Sequence, residues 1–329
     1  MTTKIVVSGM RPTGRIHLGN YTSVIKNWIK LQKTYSCFFF IADIHSLTTN
    51  LDNIIKLNYY TKIIIKEWLA TGINPEKSNI FIQSHIPETF ELHTILSMIA
   101  PVSWLERVPT YKAEKNAKTY GFLGYPILQG ADILILNADY VPVGEDQLPH
   151  LELIRELVRK TNTVIKKITN SSIDVFKEPQ PLLNYHKNIL GIDGNKMSKS
   201  KNNTILISDE SEILFKKIKK IKTDEKRINI SISGTPDNCN IWKFHEIYSN
   251  IKTKKKIKTE CLTAKIGCSD CKNILYKTIE IKNKTIIKNI KLYEKKEYYI
   301  NEIIELGSNN ARKIAKNTLK TLKDKLNIL

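Results

Sequence analysis

The sequence has few cysteines, few arginines and no long apolar run, and these shortages exclude several classes of protein. Its longest apolar segment, Cys37–Ala42, is six residues, whereas a membrane-spanning helix needs about 20. Five cysteines in 329 residues are too few for a secreted disulfide framework. Residues 1–8 lack a basic segment followed by an apolar one, so no secretory signal is predicted. We therefore expect a cytoplasmic protein with no membrane segment.

Basic residues are concentrated in the last two fifths of the chain. Residues 1–200 hold 23 Lys and Arg against 17 Asp and Glu, and residues 201–329 hold 29 against 15. Such an asymmetry is typical of a protein whose second part binds nucleic acid. Only seven of the 52 basic residues are Arg, however, and Ile and Asn are abundant. Codon drift in an A+T-rich genome could produce the same excess of Lys.

Short apolar segments alternate with segments of helical periodicity in the first part of the chain. This pattern predicts an α/β fold, with a doubly wound, Rossmann-like parallel sheet whose strands are buried on both faces. Strands are predicted at 4–8, 37–42, 79–83 and 140–143, and helices at 21–31, 53–71 and 147–160.

The rest of the chain is mostly of helical period. Residues 90–137 read as a helical insertion into the sheet, and the Lys-rich segments 211–221, 273–291 and 301–326 as helices. We expect one domain at 1–204 and a mainly α-helical domain at 205–329, with the last helix packing back on the first domain.

The turn after the first predicted strand has the features of a phosphate site. Gly14 permits a tight turn, Gly19 allows a ligand close to the backbone, and the following helix offers free N–H groups. His17 and Asn20 add side-chain donors. Alone, this pattern could equally be an ordinary glycine-rich turn, because neither a P-loop nor a dinucleotide fingerprint is present.

A second candidate segment, Lys196–Ser200, lies in a polar loop. Lys196 and Lys199 are three residues apart with a hydroxyl between them, so together they could surround a pyrophosphate leaving group. A pair of lysines in a loop is more often a solvated surface, and the segment alone does not decide between the two.

Together the two segments resemble the two signature elements of class I aminoacyl-tRNA synthetases. The sequence Lys-Met-Ser-Lys-Ser matches one of them letter for letter, and His-Leu-Gly-Asn resembles His-Ile-Gly-His, with Asn20 in place of the second histidine. Further segments resemble the bacterial tryptophanyl-tRNA synthetases: Ala42–Thr48, Tyr125–Leu134, Val141–Gln147 and Gly307–Thr318. The resemblance implies activation of L-tryptophan by ATP with Mg²⁺, transfer to the 3′ end of tRNA(Trp), and a homodimer.

The resemblance also implies roles for individual residues. The catalytic groups would be His17, Asn20, Lys196, Ser198 and Lys199. ATP would contact Arg11, Pro12, Thr13, Gly19, Asn20, Gly144, Glu145, Asp146, Ile189, Lys196, Met197, Ser198, Lys199 and Ser200. Tryptophan would contact Asp132, Tyr125, Gln147, His45, Val141 and Val143.

Within the tryptophan pocket, Asp132 would accept the indole N–H, and Tyr125 and Gln147 would hold the ammonium group. Without the resemblance, Asp132 could be an ordinary acid at a helix N-terminus. Val7 stands where many relatives have an aromatic residue, which predicts a looser pocket. Gln129 and Gly130 stand where some relatives have Met and Ala.

Four cysteines, at 239, 261, 268 and 271, give the spacing C-x21-C-x6-C-x2-C. Four thiolates can hold a [4Fe–4S] cluster or close a zinc site, and unligated thiols are the third reading. The segment Cys261–Lys272 resembles that of the tryptophanyl-tRNA synthetases with a [4Fe–4S] cluster, which favours the cluster as cofactor, with structural Zn²⁺ as the alternative. Nearby, Trp242, His245 and Tyr248 could stack on anticodon bases or belong to a core.

Two other functions remain to be weighed. A tyrosyl-tRNA synthetase shares this fold, but the segments Val141–Gln147 and Asp43–His45 favour tryptophan. A non-catalytic RNA-binding relative would have lost loop residues, yet Gly14, Gly19 and both lysines are present.

Overall fold

The computed structural model describes residues 3–49, 51–114, 119–170, 172–183 and 189–328. Its centre is a parallel sheet of five strands, β1 Ile5–Met10, β2 Ser36–Ile41, β3 Ser78–Ile82, β4 Tyr140–Val143 and β5 Gln180–Leu183. The strand order is β3-β2-β1-β4-β5. The chain thus adds strands outward from β1, first on one side and then on the other, as in a doubly wound fold. The predicted fold class is confirmed.

Helices cover both faces of the sheet and make up the C-terminal region. Those before β5 are α1 Leu18–Asn20, α2 Lys26–Leu31, α3 Asp43–Leu47, α4 Leu57–Thr71, α5 Pro87–Ile99, α6 Val102–Glu106, α7 Pro109–Ala113, α8 Tyr120–Leu134 and α9 Leu148–Thr169. A π-helical segment, Tyr21–Ile25, joins α1 to α2. Those after β5 are α10 Ser211–Lys220, α11 Asn240–Tyr248, α12 Ile251–Leu262, α13 Cys268–Glu294 and α14 Glu297–Leu326. None of the helices described is long and apolar enough to cross a bilayer.

Alternation along β2 divides the core between the two sheet faces. Phe39 and Ile41 pack with Trp28 and Trp68 on one face, while Phe38 and Phe40 face the other. The first cluster continues into the C-terminal region, because α13 lies along α4. The sheet and the C-terminal helices therefore share one hydrophobic core.

Three side chains considered for base stacking are internal. Tyr248 and His245 are fully enclosed, and Trp242 is buried against Ile257 and Ile266. The Tyr248 hydroxyl pairs with Thr22 at 3.2 Å, which ties α11 to the helix after β1. Their faces are not presented to solvent, so the stacking interpretation is wrong for these residues, and they belong to the core.

The last helix, α14, packs directly against the backbone of the edge strand β3. Gly307 is the point of closest approach: a Cβ atom there would lie 2.0 Å from the Ile80 carbonyl oxygen. The helix covers an edge that would otherwise offer unpaired backbone groups. Only glycine permits this packing.

We expect Gly307→Ala to lower the free energy of unfolding by at least about 2 kcal/mol, because strand backbone cannot move aside and overpacking outweighs the helix propensity gained. Gly121→Ala is the matched control. Its added Cβ would meet nothing closer than 3.9 Å, so its stability should be unchanged or slightly higher. Urea unfolding of both variants measures the difference, and equal stability of the two would contradict this packing.

Candidate active site

Three adjoining cavities open at the carboxyl end of the sheet, beside the point where the strand order reverses between β1 and β4. Ligands of doubly wound proteins bind at this position. We call them the inner cavity, about 440 Å³, the middle cavity, about 430 Å³, and the outer cavity, about 850 Å³. Asp132 and Gln147 line both the inner and the middle cavity, and Asn20 and Lys196 both the middle and the outer. The three form one continuous site.

Asp132 is a buried carboxyl group that lines both the inner and the middle cavity. It lies in the last turn of α8, because that helix already begins at Tyr120, so the alternative of a helix N-terminal acid is wrong. The Gln83 amide nitrogen donates to both of its oxygens at 2.8 Å. Burial raises the pKa of Asp132 well above its usual value, Gln83 opposes that rise, and Asp43 adds to it. The carboxyl group is therefore held in a dry environment with one amide donor.

Around Asp132 the inner cavity is lined by rings and polar tips. The rings of His45 and Tyr125 meet edge to face with their centroids 5.6 Å apart, and the ring centroids of His150 and Tyr125 are 5.9 Å apart. Burial, with the nearby Arg11 charge, lowers the pKa of His45 to about 4, so its imidazole is neutral at pH 7. The Tyr125 hydroxyl contacts that of Thr110.

Apolar side chains wall the middle cavity. Val7, Val141 and Val143 line it as predicted, and Phe40 joins them. Phe40 stacks on Phe81 at 5.4 Å and fills the space over Gly9, where a Cβ would lie 2.5 Å from its ring. Phe40 thus supplies an aromatic wall next to Val7. The aliphatic residue at position 7 does not leave the cavity without an aromatic ring.

The outer cavity is bounded by residues 11–20, which follow β1 and are called the first loop below. His17 accepts the Asn20 backbone N–H on its Nδ1 at 3.1 Å. Burial, and secondarily Lys199, lower the pKa of His17 to about 4. A neutral imidazole that accepts on Nδ1 carries its proton on Nε2, so His17 can donate to a ligand oxygen. Gly19 permits this geometry, because a Cβ there would lie 2.9 Å from Nδ1.

The segment Lys196–Ser200 is called the second loop below. Its two lysines have different environments. The Lys196 side chain is 86% exposed and lies 3.7 Å from an Asp146 oxygen. Lys199 is largely enclosed and donates to the Gly14 carbonyl at 2.5 Å. Burial lowers the pKa of Lys199 to about 8, and Glu67 opposes the shift, so the ammonium form still predominates at neutral pH.

Sequence reasoning missed two residues that hold these loops. Glu67, fully buried in α4, accepts the Ile16 backbone N–H at 2.8 Å and pairs with Arg15 at 3.0 Å. Asn203 accepts from Ser198 N–H at 2.8 Å and donates to the Lys196 carbonyl at 3.1 Å. A glutamate in a helix and an asparagine in a loop give no sequence signal of such contacts.

Most of the predicted residues meet in the three cavities, and a few do not. Pro12 is buried, Gly19 is half-buried and Glu145 is exposed, and none of these lines one of the three cavities. Ile189 lies in the core beside Met197 rather than against open space. The Ser200 side chain is outside the described part of the structure.

The four cysteines of the C-terminal region come together in space. Cys239 precedes α11, Cys261 ends α12, and Cys268 and Cys271 begin α13. Burial and the three neighbouring thiols raise the pKa of Cys271 to about 12. Arg227 lies 3.7 Å from the Cys261 sulfur, and His245 lies 3.4 Å from that of Cys271. As the side chains stand, no three His, Cys, Asp or Glu residues of the described chain are placed to hold a metal ion.

Comparison with known proteins identifies the family. The family model for class I tRNA synthetases (W and Y) matches residues 2–282. The tryptophan–tRNA ligase of Thermotoga maritima is 41% identical over 332 residues, 98% of this chain and 99% of that protein. The chain belongs to the tryptophanyl-tRNA synthetase family. The family and the ligase class of activity predicted from the motifs are confirmed.

Other relatives agree over the full length. The tryptophan–tRNA ligase of Aquifex aeolicus is 36% identical, covering 98% of this chain and 99% of its own. The crystal structure of tryptophanyl-tRNA synthetase from Campylobacter jejuni, complexed with ADP and tryptophan, superposes with a TM-score of 0.86 at 31% identity. The superposed region covers 98% of this chain and 100% of the Campylobacter jejuni chain.

Proposed function

We propose that this protein activates L-tryptophan with ATP and transfers the tryptophanyl group to the 3′ end of tRNA(Trp). The observation that carries the proposal is the buried Asp132 carboxyl, which faces an apolar, ring-lined cavity that is continuous with a two-lysine loop. Its neighbourhood suits a large aromatic amino acid with one N–H to donate, next to a polyphosphate.

Tryptophan would occupy the inner and middle cavities. Its indole N–H would meet Asp132, a charge-assisted bond that phenylalanine cannot make. Val141, Val143 and Phe40 would cover the rings, while Tyr125 and Gln147 would bind the ammonium group. His45, neutral at pH 7, adds no repulsion against that cation.

ATP would occupy the outer cavity and the adjoining part of the middle one. The ribose would lie near Gly144 and Asp146, with the phosphates between the first loop and the second. The His17 Nε2–H and the Asn20 amide would donate to phosphate oxygens. Arg11, Thr13, Gly19 and Met197 complete the proposed ATP-site residues, and Mg²⁺ would accompany the nucleotide.

The chemistry would need no protein nucleophile. A tryptophan carboxylate oxygen attacks the α-phosphorus, the bond to the bridging oxygen breaks, and pyrophosphate leaves with its electron pair. Lys196, Ser198 and Lys199 would stabilise the charge that gathers on the leaving group. A ribose hydroxyl at the tRNA 3′ end then attacks the tryptophanyl carbonyl and releases AMP.

Lysine-rich helices support tRNA binding by the C-terminal region. We infer a division into a catalytic domain at 1–204, with its helical insertion at 90–137, and a tRNA anticodon-binding domain at 205–329. Residues 201–329 hold 29 basic against 15 acidic residues. An excess of positive charge attracts the phosphate backbone without reading its sequence.

Lys199→Ala tests the proposed reaction. We expect it to slow tryptophan-dependent pyrophosphate exchange roughly 100-fold or more, because it removes a charge used in the transition state, with tryptophan affinity changed by no more than about threefold. Lys201→Ala is the matched control, since it removes the same charge from an exposed neighbour that lines none of the cavities. Equal losses of exchange and tryptophan binding would mean that the loop is structural, and wild-type protein without exchange would refute the function.

We also infer that the chain belongs to the cysteine-cluster subset of its family and that Cys239, Cys261, Cys268 and Cys271 hold a [4Fe–4S] cluster, with Zn²⁺ as the alternative. Their convergence from three helices supports this, as does Arg227, whose charge suits anionic thiolates. A bound group would lock the starts of α11 and α13 to the end of α12. No step of the aminoacylation passes through it.

Metal analysis and visible absorbance of anaerobically purified protein test the cluster. We expect about four irons per chain with a visible thiolate–iron absorbance, both lost in Cys268→Ser. Cys37→Ala, at a buried cysteine of the sheet, is the control and should keep them. One zinc without colour would support the alternative, and no metal in protein prepared without air would contradict both.

A homodimer and a cytoplasmic location complete the proposal. Three apolar side chains on neighbouring elements of the insertion are largely exposed, Met98 at 80%, Val102 at 57% and Tyr120 at 75%. An apolar patch at a surface is typical of a protein–protein interface, and we infer that these side chains contribute to one. Because charged tRNA is used in translation, we expect the enzyme to be in the cytoplasm.

A further inference from the structure

We propose that Gln83 is the positioning residue through which this chain selects an indole N–H, because its amide fixes the orientation of the Asp132 carboxyl. The inference rests on the proposed function, in which Asp132 accepts that N–H. Gln83 begins the short 3-10 helix Gln83–His85 directly after β3, and its side chain is 1% exposed.

The orientation of the Gln83 amide follows from its partners. Its Oε1 accepts the His45 backbone N–H at 2.9 Å, which only an oxygen can do. The Nε2 group must therefore face Asp132, where it lies 2.8 Å from each carboxyl oxygen. Since α3 fixes the His45 N–H, the amide cannot turn over without leaving a buried donor unpaired.

Fixing both oxygens leaves Asp132 a defined direction in which to accept. Each oxygen has two lone pairs, and Gln83 occupies one side of the carboxyl group. Asp132 lines the inner and middle cavities, so the remaining acceptor sites are available to a ligand there. A group that can only accept rejects a ligand that lacks a donor at that point.

Gln83 also separates two buried carboxyl groups. Asp43 accepts the Ser84 backbone N–H at 3.0 Å, which places it beside the same short helix. Burial, and secondarily Asp43, raise the pKa of Asp132 and favour its protonated form, whereas donation by Gln83 opposes this rise. A protonated Asp132 could present a hydroxyl donor to the cavity, and selection for an N–H would then be lost. Opposing that protonation is the second part of the proposed role, beside the orientation that the two 2.8 Å contacts fix.

The test compares two substrates in pyrophosphate exchange: L-tryptophan and benzothienylalanine, in which sulfur replaces the indole N–H. Wild-type protein should strongly prefer tryptophan in kcat/KM. We expect Gln83→Met, which keeps the length of the side chain but removes the donor, to reduce this preference roughly tenfold to 100-fold. The loss should appear in the KM for tryptophan, while the KM for ATP stays within about twofold.

Gln32→Met is the matched control. Gln32 is another buried glutamine that bridges backbone groups, donating to the Gly72 carbonyl at 3.0 Å and accepting the Asn74 N–H at 2.9 Å, away from the cavities. It should destabilise the fold in the same way without changing the preference. Because both substrates are measured on one preparation, a partly unfolded sample lowers both rates equally and leaves their ratio intact. Gln83→Leu repeats the test with a different apolar shape.

The outcomes separate the two proposals. Wild-type preference with no reduction in either Gln83 variant overturns the role of Gln83 and leaves the proposed function standing. An equal reduction in Gln32→Met also overturns it, since any buried glutamine would then matter. Wild-type protein that shows no exchange with tryptophan refutes the proposed function, and the inference with it.

Discussion

The site depends on the cost of burying the Asp132 carboxyl group. An acid in a dry cavity is unfavourable unless donors satisfy it, and one buried amide, Gln83, reaches both of its oxygens. The amide in turn depends on the start of α3, and that helix on the end of β2. Parallel strands end at one edge of the sheet, so residues distant in the chain converge there. In the proposed function, the recognition of one polar atom on the substrate would thus rest on the register of the central strands.

A similar arrangement holds the phosphate side of the site. Glu67 is buried under the first loop, where it binds a backbone N–H and pairs with Arg15. Its charge also favours the ammonium form of Lys199, which burial alone would weaken. Each half of the site therefore contains a buried acid, and Glu67 favours the charged form of the lysine beside it. Both acids lie in helices, α4 and α8, rather than in surface loops.

The sequence predicted the fold and most of the site, and its failures have physical causes. Continuous apolar strands such as Cys37–Ala42 gave clear signals, whereas Gly121, Gly124 and Pro126 are poor helix formers that hid the first turn of α8. The helix begins at Tyr120, well before the N-terminal position considered for Asp132, and Asp132 therefore falls at its end. Gln83, Glu67 and Phe40 were missed because their roles depend on contacts across elements. A glutamine after a strand looks the same whether it is solvated or bound to a buried acid.

Pyrophosphate exchange with L-tryptophan and L-tyrosine, run on the wild type and on Asp132→Asn, tests the central claim most directly. In the substituted protein, Gln83 would hold the oxygen of the new side-chain amide and turn its NH₂ group toward the indole N–H, donor against donor. The account predicts that the wild type exchanges with tryptophan far faster than with tyrosine. It also predicts that the substitution lowers kcat/KM for tryptophan roughly tenfold to 100-fold. Faster exchange with tyrosine, or a substituted protein that uses tryptophan as well as the wild type, would contradict it.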